Sequence, residues 1–171
     1  GTQLDTNIWE YMIGNGHNYG LAGWGNNESQ YYTSLPSNIN VADGKLNIIA
    51  RQQSYMGYNY TSARIRTQNN LDIKYGKIEA RMKLPSTQGI WPAFWMLPTN
   101  SPYGGWASGG EIDIMECVNQ ADRVHGTIHF GGQWPENTST GGTYAPGTDF
   151  SADFHTYTIE WEPDAMRWYV D

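Results

Sequence analysis

Three acids share one short apolar run: Glu111, Asp113 and Glu116 in Gly109-Gly110-Glu111-Ile112-Asp113-Ile114-Met115-Glu116-Cys117. Read as a strand, the period of two puts Glu111 and Asp113 on one face and Ile112 and Ile114 on the other. Strict alternation would return to the acidic face at position 115, but Met stands there and the third acid falls at 116. A β-bulge near Met115 adds one residue to the count and restores Glu116 to the acidic face. Three carboxylates so close repel one another, and a chemistry that needs carboxyl groups of different pKa would explain the arrangement. Glycoside hydrolysis with retention is one such chemistry. It uses an ionised carboxylate as nucleophile and a protonated carboxyl as general acid, about 5 Å apart. The backbones of Glu111 and Glu116 would stand more than about 10 Å apart at ~3.3 Å per residue, so their side chains must lean together. Asp113, between them, is placed to share a proton with its neighbours. Two other readings stay open on the residues alone: a divalent-cation site and a solvated acidic face. Hard cations draw several oxygens from a loop more often than from a strand.

Aromatic and polar residues surround this run. Trp91 and Trp95 share a parity on the preceding strand-like segment, and Trp106 sits in the Gly-rich stretch that leads into Glu111. Their faces are candidate platforms for a sugar ring, with core packing as the alternative. His129 ends the run that follows the acids and is placed to hydrogen-bond to a carboxylate; His125 has the same parity. Arg64 and Asn26, read on strands, offer fixed donors and acceptors for sugar hydroxyls, with Asn27 as the alternate if the register slips by one.

The elements that must position these residues are short alternating runs separated by Gly, Asn, Pro and Ser clusters, an all-β pattern. Strands are expected at 31–33, 39–41, 45–51, 62–67, 76–83, 90–96, 110–116, 123–130, 155–160 and 165–170. The Gly-, Thr- and Pro-rich stretch 131–149 reads as a long loop. At 171 residues the chain is expected to form one domain with one core. The net charge of −7 argues against a phosphate-binding surface and so against nucleic acid as a partner. No apolar run approaches membrane-spanning length. Aromatics reach 14 %, with eight Trp and twelve Tyr, a surplus that stacking on neutral sugars would use. One cysteine, Cys117, excludes an intrachain disulfide.

The run Gly110-Glu111-Ile112-Asp113-Ile114-Met115-Glu116 resembles the signature of glycoside hydrolase family 16, in the bulged E-x-D-x-x-E form typical of laminarinases. Five further groups of residues resemble the family in the expected order: 24–33, 60–65, 75–81 with 89–97, 126–129 and 154–161. The resemblance implies a β-jelly-roll sandwich of two antiparallel sheets with a concave substrate cleft. It implies Glu111 as nucleophile, Glu116 as general acid/base, Asp113 as the assisting carboxylate and His129 as their partner. The reaction implied is endo-hydrolysis of β-1,3-glucosidic bonds in laminarin-like or mixed-linked glucans by a secreted enzyme that needs no cofactor for catalysis. An agarase-like hydrolase and a non-catalytic glucan-binding module share the fold as alternatives. The family also implies a structural calcium, with Glu10 and the Gly44 carbonyl matching two of its ligands and a third position falling beyond Asp171. Because the family domain continues for several strands after this point, 1–171 is expected to be a catalytic domain incomplete at its C-terminus. A second polypeptide or a domain-swapped copy is then expected to complete the sandwich.

Overall fold

The protein is described by a computed structural model covering residues 1–171. Fourteen strands follow in chain order: β1 (Glu10–Tyr11), β2 (Gln30–Tyr32), β3 (Ile39–Ala42), β4 (Lys45–Ile48), β5 (Arg51–Tyr55), β6 (Tyr58–Ser62), β7 (Ile65–Arg66), β8 (Gly76–Met82), β9 (Ala93–Met96), β10 (Glu111–Glu116), β11 (Val124–Phe130), β12 (Thr138–Tyr144), β13 (His155–Glu162) and β14 (Ala165–Val170). The only helical pieces are two 3-10 turns, His17–Tyr19 and Ala22–Gly25. The all-β class expected from the turn-punctuated alternation is the one observed.

Two compact units divide the chain, Gly1–Asp72 and Ile73–Asp171. The first holds the β1–β7 ribbon, the β3–β4 hairpin and a sheet of order β2-β6-β5. Its β2–β6 pair is parallel, a departure from the wholly antiparallel expectation. The connection from Tyr32 to Tyr58 is long enough for the crossover that a parallel pair requires. Its centre is polar: Asn38 and Thr61 are fully buried, and Asn38 Nδ2 donates to Thr61 Oγ1 at 2.9 Å and to the Ile49 carbonyl at 3.0 Å. Thr33 Oγ1 donates to Asn38 Oδ1 at 2.7 Å, so the buried amide is satisfied on both sides.

The second unit carries a sheet of order β12-β11-β10-β9 and a sheet of order β14-β13-β8. Its core gathers Leu84, Met115, Cys117, Ala121, Val124, Phe150 and Tyr157. The stretch 131–149 is not one loop. Thr138–Tyr144 forms β12, paired along its whole length with β11 and exposed at every position. Its Thr-Ser-Thr-Gly-Gly-Thr-Tyr sequence buries nothing, so it lacked the apolar alternation by which a strand is read. The strand expected at 90–96 begins only at Ala93, leaving Trp91 and Pro92 in the approach to it.

Candidate active site

Strand β10 shows how the three acids share a face. Against β11, Glu111 stands opposite His129, Asp113 opposite Thr127 and Glu116 opposite His125. The partners step by two each time, while the acids step by two and then by three. The register shifts between Asp113 and Glu116 on this side, and between Asp113 and Met115 against β9. This is the bulge expected at Met115. Its consequence appears in burial: Ile114 (4 % exposed) and the adjacent Met115 (1 %) both enter the interior. Two consecutive residues pointing inward is what a bulge permits and a regular strand forbids.

Each carboxylate has its own surroundings. Trp106 Nε1 donates to Glu111 Oε2 at 2.5 Å, and Trp91 Nε1 donates to Glu116 Oε1 at 2.8 Å. Asp113 lies deepest, 2 % exposed. Burial, reinforced by the charges of Glu116 and Glu111 and by a hydrogen bond to Glu111, pushes its carboxyl up to about 8. Glu111 is also raised, by burial first, while the Trp106 N–H, His129 and the Asp113 hydrogen bond pull the other way. At neutral pH, Asp113 is therefore a neutral acid that donates its proton toward Glu111.

His129 Nε2 lies 3.3 Å from Asp113 Oδ2. That oxygen makes no aligned hydrogen bond, so the contact is one of proximity. The His129 ring packs at 5.3 Å from that of Trp106. Trp95 stands opposite Asp113 on β9, on the acidic face, with Ala93 opposite Glu116. His125 is engaged sideways, its Nδ1 2.9 Å from Thr143 Oγ1.

Glu111, Asp113 and His129 present ligand atoms within 4.8 Å of one another. A cation there would compete with the Trp106 N–H for Glu111 and would have to displace the proton of Asp113, so the set suits proton sharing better than metal binding. A solvated acidic face is excluded by the burial of Asp113.

Two expected sugar contacts sit differently from their reading. Asn26 and Arg64 lie outside the strands. Asn26 is an exposed residue closing the second 3-10 turn, and Arg64 occupies the break between β6 and β7. The Gly-rich run 23–25 with its positive φ values turns the chain there, which alternation could not foresee. The Arg64 guanidinium lies over the buried Trp24 ring, 4.5 Å from its centroid, a partner the sequence reading did not assign to it. Both belong to the first unit, whereas the three acids, His125, His129, Trp91, Trp95 and Trp106 belong to the second. Of the two calcium ligands, Glu10 is already paired with Arg66 at 2.7 Å across β1–β7, and Gly44 turns the β3–β4 hairpin with φ 72°. One engaged carboxylate and one carbonyl fall short of the six to eight oxygens calcium takes.

An all-β fold in which a buried Asp113 shares its proton with Glu111, with Glu116 on the same face and exposed indoles beside them, suits a carbohydrate-active site. The chain matches the model of glycosyl hydrolases family 16 over residues 7–171 and belongs to that family. It is 48 % identical to glucan endo-1,3-beta-glucosidase A1 of Niallia circulans, over 100 % of this chain and 27 % of that protein. It is 45 % identical to the beta-glucanase of Rhodothermus marinus, over 98 % of this chain and 58 % of that protein. Among solved structures, the laminarinase catalytic domain of Thermotoga maritima matches at TM-score 0.87 and 47 % identity, over 98 % of this chain and 69 % of that one. The jelly-roll class implied by the resemblance is thus the fold class of the chain. The chain spans about a quarter of the length of the first of these curated relatives and somewhat over half of the second.

Proposed function

We propose that this chain carries the catalytic carboxylates of a retaining endo-β-1,3-glucanase acting on laminarin-like or mixed-linked glucans. The observation that carries the reading is the register of β10, which aligns Glu111, Asp113 and Glu116 opposite 129, 127 and 125. Glu111 attacks the anomeric carbon, and Glu116 protonates the departing oxygen. The glycosyl–Glu111 ester then forms and is hydrolysed by water that Glu116 deprotonates. Neutral Asp113 donates to Glu111, holds its carboxylate in one rotamer and spreads the charge that returns to it when the ester is cleaved. Trp106 fixes Glu111 from the other side, and Trp91 does the same for Glu116. The indole of Trp95 on the acidic face supplies a stacking surface beside the acids. A non-catalytic glucan-binding module would have no use for three carboxylates held in this way.

The test is reducing-sugar release from laminarin, mixed-linked glucan and agarose by wild type and Glu111→Gln. Release from the β-1,3-linked glucans by wild type alone supports the reading. Release from agarose alone, or full activity of the variant, overturns it. The same reading carries three smaller proposals. A polymeric substrate outside the cell calls for a secreted enzyme. A structural calcium at Glu10 and Gly44 needs ligands from elsewhere; a melting temperature that EDTA leaves unchanged would remove it. The edge of β14 away from β13 is unpaired in its sheet, an edge of the kind a further strand from another segment or copy covers.

A further inference from the structure

The acidic strand is touched from behind at one backbone atom. Trp168 on β14 donates its indole N–H to the main-chain carbonyl of Asp113 at 2.9 Å. In a regular ladder, carbonyls lie in the sheet and accept N–H groups from neighbouring strands. This carbonyl accepts a side-chain N–H from a different sheet. It stands where the register breaks on both sides of β10. A bulge strands backbone polar groups, and a buried one without a partner costs about 1–3 kcal/mol. The indole of Trp168 supplies that partner.

Its seat is built by β11. A Cβ on Gly126 would stand 2.5 Å from Trp168 Cδ1 and 2.7 Å from Nε1. Gly126 has no positive φ, so the space, not the backbone, requires glycine. It sits between His125 and Thr127, the residues opposite Glu116 and Asp113, so the indole rests directly behind the bulge.

We propose that Trp168 is a positioning residue for the acid/base. Its N–H fixes the bulge at the Asp113 carbonyl, and the bulge is what turns Glu116 onto the face of Glu111. Trp168 touches no substrate. What Glu116 does rests on the reading above; the hold of Trp168 on the bulge does not.

The test replaces the Trp168 indole in the full-length protein by the isosteric benzothiophene of benzothienylalanine, which keeps the ring and removes the N–H; Gly126→Ala displaces the ring from the opposite strand. Two substrates separate positioning from general damage: laminarin, and a dinitrophenyl laminaribioside whose leaving group needs no acid. With both changes we expect kcat on laminarin to fall about tenfold or more at unchanged KM, within the span of general acid catalysis. The first turnover of the aryl glycoside should keep the wild-type rate, and azide should accelerate its steady state by replacing the water that Glu116 no longer activates. Amides 114–116 should exchange with solvent about tenfold faster or more in the folded variants. Equal losses on both substrates without azide acceleration, or kcat within twofold of wild type, overturn the proposal. If wild type hydrolyses neither substrate, the functional reading fails, and amide exchange still decides: unchanged protection at 114–116 overturns the role of Trp168.

Discussion

Asp113 is held neutral up to about pH 8 because it is buried and faces two further carboxylates. An ordinary aspartate titrates near 3.8. The folded chain therefore binds a proton that the unfolded chain releases between those values. The contribution to stability is fully present below the unfolded pKa and is lost as pH rises toward 8, by up to about 1.4 kcal/mol per pH unit. Asp113→Asn keeps the neutral form at all pH. Its melting temperature should fall less than that of wild type between pH 5 and 9, while kcat drops; parallel curves for the two proteins would contradict the assignment. Trp106→Phe keeps the ring and removes the donor to Glu111, and hydrolysis should fall about ten- to a hundredfold, in line with loss of a charge-assisted hydrogen bond of about 1.5–3 kcal/mol. At this scale the sequence was highly legible. Residue type and spacing singled out the acids, Met115 and the indoles. The N–H donations from Trp106 to Glu111 and from Trp91 to Glu116 were not legible, because they depend on rotamers of residues outside regular strands.

The elements were legible where alternation faces a core. Strands β10, β11, β13 and β14 are buried or half-buried along most of their length, and apolar spacing marks them. Strand β12 buries none of its residues and could be found only through its pairing to β11. The turn at Asn26 and the break at Arg64 were likewise set by glycine conformations and pairing, not by pattern. Two substitutions test the elements. Met115→Ala opens a cavity beside Phe94 and the core cluster, and should destabilise by about 2–5 kcal/mol in denaturant unfolding. Asn38→Ala strands Thr33 and Thr61 in the first unit, and should cost about 1–3 kcal/mol; a change within 0.5 kcal/mol would show that the network is dispensable.

For the whole molecule, the proposed neutral glucan would be held by stacking and hydrogen bonds and not by ion pairs, in keeping with an acidic chain of few charged residues. Its KM for laminarin should change less than about twofold between 50 and 500 mM NaCl, since screening acts on charge pairs. A steep salt dependence would point to a charged substrate. The family assignment covers nearly the whole chain, and the chain in turn covers 58 % of the Rhodothermus marinus relative. The most direct test of the central claim is mass spectrometry after incubation with a 2-deoxy-2-fluoro laminaribiosyl fluoride. The fluorine at C2 slows breakdown of the glycosyl ester, so a retaining enzyme accumulates it. With Glu111 as nucleophile, one sugar label should appear on the peptide containing 111–116, with fragmentation placing it on Glu111. A label on Glu116 or on another residue, or no label while laminarin is still being hydrolysed, would contradict the assignment.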